Sequence, residues 1–265
     1  MLKTLDEKLS RILFVVILPF LLFFMSYYGF ESSYVELKSM EKAPDFMFSS
    51  VYAYRVIPNF LMIYSFEGLQ FFVDNFLSSS KSFIVKNGTI FYHSIFITNL
   101  VFFILSSLIL DKILNFESIF SDKKMVRIIH LLAVFFIVIV QYVPTNCDLI
   151  AVFFYLLGIW FTLQYTHKKR FLDFIFLCLV IMISTFVRET SCLNIAFFAA
   201  FMVDFKNIKT TLFSKEIILL VISFVLPYFS LKLFIPQETS FFEGIYLLKN
   251  LIIPNIFYRI HIKIN

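Results

Sequence analysis

Long apolar runs recur along this chain, and short clusters of charged residues separate them. The longer runs can form helices that cross a hydrocarbon core of about 30 Å, since an α-helix rises about 1.5 Å per residue. The pattern predicts an all-α, polytopic transmembrane bundle in a single domain. Its seven spans are predicted at residues 12–30, 90–110, 128–143, 149–166, 171–187, 190–203 and 217–235.

The stretch 51–77 is apolar but interrupted by Arg55, Pro58, Glu67 and Asp74. Backbone amides without partners in lipid cost several kcal/mol each, so an interrupted segment is expected in the headgroups or against protein. We predict interfacial or re-entrant helices in the first outer loop, with a hairpin of two short spans as the alternative. The pattern also leaves open whether residues 249–265 form a further span.

The basic residues alternate between successive connections. Residues 111–127, 167–170 and 206–215 are rich in Lys, whereas 144–148 contains no Lys or Arg. Cytoplasmic loops of membrane proteins carry the excess of Lys and Arg. The pattern therefore predicts a cytoplasmic N-terminus and places residues 31–89 on the outer side.

The composition fits this interpretation and excludes other classes. Hydrophobic residues make up 60% of the chain and charged residues 15%, with a mean hydropathy of +0.87. A soluble domain of this size could not bury so much apolar surface. The net charge of +5 does not indicate nucleic-acid binding, because the basic residues form short clusters between apolar runs rather than a continuous stripe.

Charged residues from distant parts of the sequence share the outer face in this topology. Charges near the hydrocarbon boundary are tolerated when they are paired or line a hydrated cavity, and they suggest function. A structural alternative exists for two of these positions: Asp148 could cap its helix, and Arg188 and Glu189 could form a local pair at a turn. The outer-face set is Glu31, Asp45, Arg55, Asp148, Arg188 and Glu189.

Four features occur in a recognisable order. An acid follows the first span at once (Gly29-Phe30-Glu31), a long outer loop contains residues 52–58, Asp148 begins a later span, and residues 186–190 read Phe-Val-Arg-Glu-Thr. Over residues 12 to about 203 this order resembles the GT-C superfamily of membrane glycosyltransferases. The chain departs from the superfamily in two respects. Glu31 stands where Asp is usual, and the C-terminal helices or outer domain that bind the acceptor in most members have no match in these residues.

The resemblance implies a glycosyltransferase that uses polyprenyl-phosphate-linked sugars at the outer face of the bacterial inner (plasma) membrane. Such an enzyme would serve cell-surface polysaccharide or glycan assembly. Transfer with inversion requires a carboxylate that takes a proton from the acceptor hydroxyl, and cationic groups that stabilise the departing phosphate. The candidate catalytic residues are Glu31 as the base, assisted by Asp45 or Asp148; the candidate substrate-binding residues are Arg55, Arg188 and Glu189.

No cofactor is predicted. Glu31 and Asp148 could hold a divalent cation, but two acids without a third ligand are weak evidence for a metal site. The function alternative from a different class is a transporter or a non-catalytic membrane subunit. A transporter is expected to carry polar residues at mid-membrane depth, for which the modest candidates are Asn99, Ser106, Ser107, Ser184 and Thr185. The sequence does not specify the sugar, the acceptor or the oligomeric state.

Overall fold

The computed structural model describes residues 2–29, 35–42, 53–116, 122–141, 148–203 and 214–235. Helices cover nearly all of these residues, and no strand occurs among them. The predicted all-α fold class is therefore confirmed for the described part of the chain.

The first helix, α1, is continuous from residue 2 to residue 29. It combines α-helical turns at Leu2–Ile12 and Leu18–Phe24 with π-helical turns at Leu13–Ile17 and Met25–Gly29. The following helices are α2 (Val35–Ser39), α3 (Val56–Phe76), α4 (Lys81–Val85), α5 (Ile90–Leu114), α6 (Lys123–Gln141), α7 (Asp148–Lys168), α8 (Phe171–Thr185), α9 (Cys192–Met202) and α10 (Lys215–Phe234).

Helix α5 lies at the centre of the first half of the structure. Its N-terminus is capped by Thr89, whose hydroxyl oxygen accepts a hydrogen bond from the Tyr92 amide at 3.2 Å. Ile97, Val101 and Leu105 of α5 are exposed, whereas the opposite side of the helix packs against protein. Accordingly, large side chains such as Phe91, Tyr92 and Phe103 are fully buried along it.

Contacts along α5 fix the relative directions of its neighbours. Ser107 of α5 donates to the Val15 carbonyl of α1 at 2.7 Å, and the Tyr92 hydroxyl donates to the Tyr27 carbonyl, so α1 runs antiparallel to α5. Ring contacts of 5.7 Å join Phe102 to Phe153 and Phe116 to Trp160, so α7 runs parallel to α5. These directions agree with the alternation that the basic connections require. Which end faces the cytoplasm stays a prediction.

A second group of helices, α8, α9 and α10, packs on the far side of α7. Tyr165 near the end of α7 contacts the ring of Phe174 near the start of α8 at 5.2 Å, so these two helices are antiparallel. Phe174, Leu177, Phe198 and Leu220 form the buried cluster that joins the group. The connection between α7 and α8 is short, and Lys169 within it has a positive φ of 51°.

Within the stretch 51–77, residues Val56–Phe76 form one helix, α3, of 21 residues rather than the alternative hairpin of two short spans. It packs along α5 with a ring contact of 5.7 Å between Phe66 and Phe91. Pro58 lies in the first turn of α3, where a proline removes no intrahelical hydrogen bond. Glu67 and Asp74 lie on the exposed side, so they interrupt the apolar pattern without breaking the helix. The interfacial or re-entrant placement of the segment stays a prediction.

Several helices are compatible with an integral membrane protein. Among the described residues, five are long and apolar enough to cross a membrane: Asp6–Gly29, Val56–Phe76, Ile90–Leu114, Asp148–Lys168 and Lys215–Phe234. Two further apolar helices are shorter, at Phe171–Thr185 and Glu189–Met202. Large apolar side chains are exposed on the outside of the bundle, as expected for a surface in contact with lipid; examples are Phe136, Leu226 and Leu233. The predicted number of seven spans is neither confirmed nor excluded by this set.

We refer to the end of the bundle that contains Asp148 and Arg188 as the outer end, and to the end that contains Asp111 as the inner end, following the predicted orientation. The helices at the outer end begin at different heights along the bundle. Phe102, near the middle of α5, packs against Ile150 and Val187, and Ile150 lies in the first turn of α7. Phe102 lies twelve residues after Ile90, about 18 Å along α5, whereas Ile150 lies two residues after the start of α7, so α5 extends roughly 15 Å beyond that start.

Candidate functional site

The outer end brings the start of α7 close to the turn after α8, because the two helices are antiparallel. Asp148 is the first residue of α7, and Arg188 follows the end of α8 by three residues. The Arg188 amide donates to the Ser184 carbonyl at 2.8 Å, and the Arg188 carbonyl accepts from the Ser191 amide at 3.1 Å. The backbone that carries the guanidinium is therefore anchored on both sides.

Asp148 and Arg188 form an ion pair. The distance from Arg188 Nη1 to Asp148 Oδ1 is 2.5 Å, although 40 residues separate them in the sequence. The two side chains are 27% and 31% exposed, so the pair is partly withdrawn from solvent. Asp148 lies in the first turn of its helix but also binds Arg188, and Arg188 pairs with Asp148 rather than with its neighbour Glu189.

A cavity of about 270 Å³ borders this ion pair. Ligand sites in proteins measure roughly 300–1,000 Å³, so this cavity has room for a head group rather than for a whole lipid. Both polar and apolar residues border it. Its lining residues are Asp148, Ala151, Val152, Tyr155, Ser184, Arg188, Thr190, Ser191, Leu193 and Asn194.

Asn194 is a buried polar residue of this cavity whose side-chain atoms lack partners among the described residues. The residue is 1% exposed, and neither its amide oxygen nor its amide nitrogen has a hydrogen-bond partner among the described residues. A buried amide without hydrogen bonds costs roughly 1–3 kcal/mol in proteins. Its position depends on Gly158 of α7, because a Cβ at residue 158 would overlap the Asn194 amide group.

Arg188 also has hydrogen-bonding capacity to spare. Its Nη1 donates to Asp148, but its buried Nε has no partner among the described residues. The Ser191 hydroxyl in the same cavity is already hydrogen-bonded to the Thr185 hydroxyl at 2.9 Å. The outer cavity thus combines unused donors on Arg188 and Asn194 with an unused acceptor on Asn194.

The segment that contains Arg55 joins the same end of the bundle. The Ile57 amide donates to the Phe186 carbonyl at 3.2 Å, two residues before Arg188. This hydrogen bond connects the start of α3 to the turn between α8 and α9. Arg55 is half-buried and belongs to the outer end, but it does not line the cavity beside Asp148.

Glu189 lines a different cavity from Arg188. That second cavity has a volume of about 160 Å³ and is bordered by Tyr54, Thr185, Glu189, Tyr228, Leu231 and Lys232. The Lys232 ammonium lies 4.0 Å from the ring centroid of Tyr54, so a cation–π contact links α10 to the start of α3. The consecutive residues Arg188 and Glu189 therefore face separate spaces.

Two predicted catalytic residues, Glu31 and Asp45, lie outside the described residues. Their distance to the Asp148–Arg188 pair is not defined, so their assignment stays a prediction. Within the described ranges, no group of three or more His, Cys, Asp or Glu side chains is arranged to hold a metal ion.

Asn194, Gly158 and Tyr155 were not among the predicted site residues. Asn194 is an isolated amide in the apolar run 190–203, which is a signal that the sequence does contain. Gly158 and Tyr155 give no such signal, since a glycine and a tyrosine are ordinary residues in an apolar helix.

Comparisons with known proteins return no match: no protein-family model, no curated protein and no solved structure is similar to this chain.

Proposed function

We propose that this chain is a membrane glycosyltransferase of the GT-C type that acts on lipid-phosphate-linked sugars at the outer end of the bundle, in surface polysaccharide or glycan assembly. One observation carries the proposal: Arg188, Asp148 and the buried Asn194 amide border a single cavity, and two of these groups keep unused hydrogen-bonding atoms. The resemblance in residues 12 to about 203 supports the reaction class.

Arg188 is the proposed phosphate ligand. Guanidinium groups bind phosphate through two parallel N–H donors, whereas an ammonium acts as a point charge. The contact between Nη1 and Asp148 restrains the guanidinium, so less conformational entropy is lost when a ligand binds. The free Nε then contributes to the phosphate contact. Asp148 serves here as a positioning residue for Arg188.

Asn194 is the proposed sugar ligand. A sugar hydroxyl both donates and accepts a hydrogen bond, and a carboxamide offers both a donor and an acceptor. The desolvation cost of the Asn194 amide is already present in the folded protein, so a ligand that satisfies the amide recovers that energy. Tyr155 supplies aromatic surface in the same cavity, and Ala151, Val152 and Leu193 supply apolar contacts.

The proposed reaction is a single displacement with inversion. Glu31 takes the proton of the acceptor hydroxyl, the hydroxyl oxygen bonds to C1 of the sugar, and the bond from C1 to the phosphate oxygen breaks. The electron pair of that bond goes to the departing lipid phosphate, whose charge Arg188 and Arg55 stabilise. Asp45 assists Glu31 as a second carboxylate, and Glu189 supplies a further substrate contact from the neighbouring cavity.

Among the residues that the structure describes, no contact favours the transporter alternative over this proposal. The polar residues that suggested it are largely engaged within the bundle. Ser106 donates to the Phe102 carbonyl, Ser184 and Thr185 donate to the Ile181 carbonyl, and Ser107 donates to Val15 of α1. Such hydrogen bonds to carbonyls satisfy hydroxyl groups inside helical bundles.

The test is a transfer assay on the purified protein in lipid nanodiscs, with a panel of polyprenyl-phosphate-linked radiolabelled sugars. Glu31→Gln should abolish transfer, because the amide keeps the shape of the side chain but cannot take the proton. Arg188→Lys should raise the KM for the donor about tenfold, because the charge remains while the two-pronged hydrogen bonding is lost.

Matched controls are available for both variants. Glu67→Gln removes an exposed acid of α3, and Arg170→Lys changes an exposed arginine at the inner end; both should transfer at the wild-type rate. Full activity in Glu31→Gln would contradict the catalytic assignment. Donor binding that depends on Arg188, without any transfer, would instead favour a non-catalytic subunit.

A further inference from the structure

The inner end contains a second arrangement of arginines around a carboxylate. Asp111 lies in the last turn of α5, and its side chain is 2% exposed. Its Oδ2 accepts from Arg11 Nε of α1 at 2.8 Å, and its Oδ1 accepts from Arg127 Nη1 of α6 at 3.0 Å. Asn115 adds a third hydrogen bond at 3.1 Å. One carboxylate therefore holds two guanidinium groups from two different helices.

Each of these arginines uses only part of its donor set on Asp111. Arg11 is bound through Nε, so both of its Nη groups remain, and Arg127 is bound through Nη1, so Nε and Nη2 remain. None of these remaining nitrogens has another partner among the described residues. Two guanidinium groups fixed by one buried anion are pre-organised to share a second anion.

A cavity of about 250 Å³ lies beside this triad. Its lining carries four cationic side chains and two carboxylates, the full set being Glu7, Arg11, Asp111, Lys112, Asn115, Lys123, Val126 and Arg127. Both carboxylates are already paired, Asp111 with the arginines and Glu7 with Lys123 at 2.6 Å. Lys112 is exposed and forms no ion pair with a described residue. The lining therefore has an excess of two positive charges.

We propose that this inner-end cavity binds a phosphate group. Arg11 and Arg127 would supply the bidentate contacts, and Lys112 would supply a further charge at the rim. Val126 gives the cavity an apolar element, which suits a phosphate that is attached to a lipid. Basic pockets between helices on the cytoplasmic side of membrane proteins bind anionic lipid head groups. The site uses none of the outer-end residues, so it is independent of the proposed transferase activity.

Two sources of the phosphate are distinguished by experiment. The full chain, purified in a neutral detergent, is titrated with phosphatidylglycerol, with phosphatidylcholine and with inorganic phosphate, and binding is measured by native mass spectrometry and by thermal shift. Phosphatidylglycerol binding with little effect of inorganic phosphate indicates a lipid head group. Binding of inorganic phosphate that competes with phosphatidylglycerol indicates a site for the free anion. Either result supports the phosphate site.

The decisive variants change the cavity without removing its buried carboxylate. Lys112→Gln should weaken phosphate binding by about threefold to tenfold, as expected for the loss of one charge-assisted contact. Arg11→Lys keeps the charge beside Asp111 but loses the planar donor group, and should weaken binding by about tenfold. Lys168→Gln is the matched control, because it removes one exposed charge from the same end of the bundle but outside the cavity.

Three results would overturn the proposal. The first is equal binding of phosphatidylglycerol and phosphatidylcholine without an effect of inorganic phosphate. The second is wild-type affinity in both Lys112→Gln and Arg11→Lys. The third is a loss of affinity in Lys168→Gln as large as that in the cavity variants. If Arg11→Lys does not fold, the comparison of Lys112→Gln with Lys168→Gln decides the question, since neither lysine takes part in the triad.

Discussion

The two ends of the bundle each pair a carboxylate with arginine, but they do so in different ways. At the inner end, Asp111 is 2% exposed and accepts hydrogen bonds from Arg11, Arg127 and Asn115. At the outer end, Asp148 is 27% exposed and pairs with Arg188, its one ion-pair partner among the described residues. The inner carboxylate therefore fastens α1, α5 and α6 together, whereas the outer one restrains a single side chain at the edge of a cavity.

The same residue types therefore form a buried carboxylate with several donors at one end and a partly exposed single pair at the other. A buried charge requires full compensation, and Asp111 receives three donors. The outer end leaves hydrogen-bonding groups unsatisfied, on Arg188 Nε and on the Asn194 amide. Groups that are buried without partners reduce stability, and they are expected where a ligand supplies the missing contacts.

The largest effect is expected from Asp111→Asn. The substitution leaves two guanidinium groups facing a neutral amide, and breaking a buried ion pair costs about 3–5 kcal/mol, reduced here because Arg11 is half exposed. We expect thermal unfolding in detergent to show a loss of about 2–4 kcal/mol. The control is Asp74→Asn, which breaks the exposed pair with Lys81 and should cost less than about 1 kcal/mol. Equal costs would remove the structural role given to the inner end.

A smaller effect is expected from Gly158→Ala, which tests the packing that holds Asn194. The added methyl group overlaps the Asn194 amide, and overpacking of this kind costs about 1–3 kcal/mol. The double variant Gly158→Ala with Asn194→Ala should recover that loss, because the overlapping atoms are those of the Asn194 side chain. If the changes in unfolding free energy of Gly158→Ala and Asn194→Ala simply add in the double variant, the two side chains do not clash.

The outer ion pair is expected to contribute less than the inner triad. A double-mutant cycle with Asp148→Asn and Arg188→Gln should give a coupling energy of about 1 kcal/mol, because both side chains are partly exposed. The same variants should lose most donor binding. A coupling energy as large as the cost of Asp111→Asn would mean that the outer pair also contributes substantially to the stability of the fold.

The smallest effect is expected from Lys232→Gln. The cation–π contact with Tyr54 is worth about 0.5–1 kcal/mol at an exposed site. The variant should therefore leave overall stability nearly unchanged, and hydrogen exchange should increase locally at residues 53–57. The control is Lys215→Gln at the other end of α10, which should leave exchange at residues 53–57 unchanged. Unchanged exchange there in Lys232→Gln as well would mean that α10 does not restrain the start of α3.

The meeting of Asp148 and Arg188 could be expected from the sequence, and the inner triad could not. Both outer residues flank connections that the apolar pattern assigns to one side, so antiparallel neighbours bring them to one end. Asp111 marks the end of an apolar run, and hydropathy therefore suggests a loop. In the structure α5 continues to Leu114, because pairing with Arg11 and Arg127 allows the carboxylate to be buried within the helix.

Helix α3 is a case in which the hydropathy pattern suggested a break where the structure has a continuous helix. Its charges suggested an interruption, but a helix tolerates isolated charged residues when they lie on its exposed side, as Glu67 and Asp74 do. The sequence gives the residues of a segment but not which of its faces meets protein. The unsatisfied amide of Asn194 is likewise set by tertiary packing against Gly158, which no local pattern encodes.

The central claim is that the outer cavity keeps polar groups for a lipid-linked phosphate sugar, and Asn194→Ala tests it in one measurement. Its thermal unfolding is followed with and without a polyprenyl-phosphate-linked sugar that stabilises the wild-type protein. We expect the variant to unfold at a higher temperature than the wild type without ligand, because a buried unsatisfied amide is removed. We also expect a smaller ligand-induced shift in its unfolding temperature. A variant that unfolds at a lower temperature and keeps the full ligand-induced shift would contradict the claim.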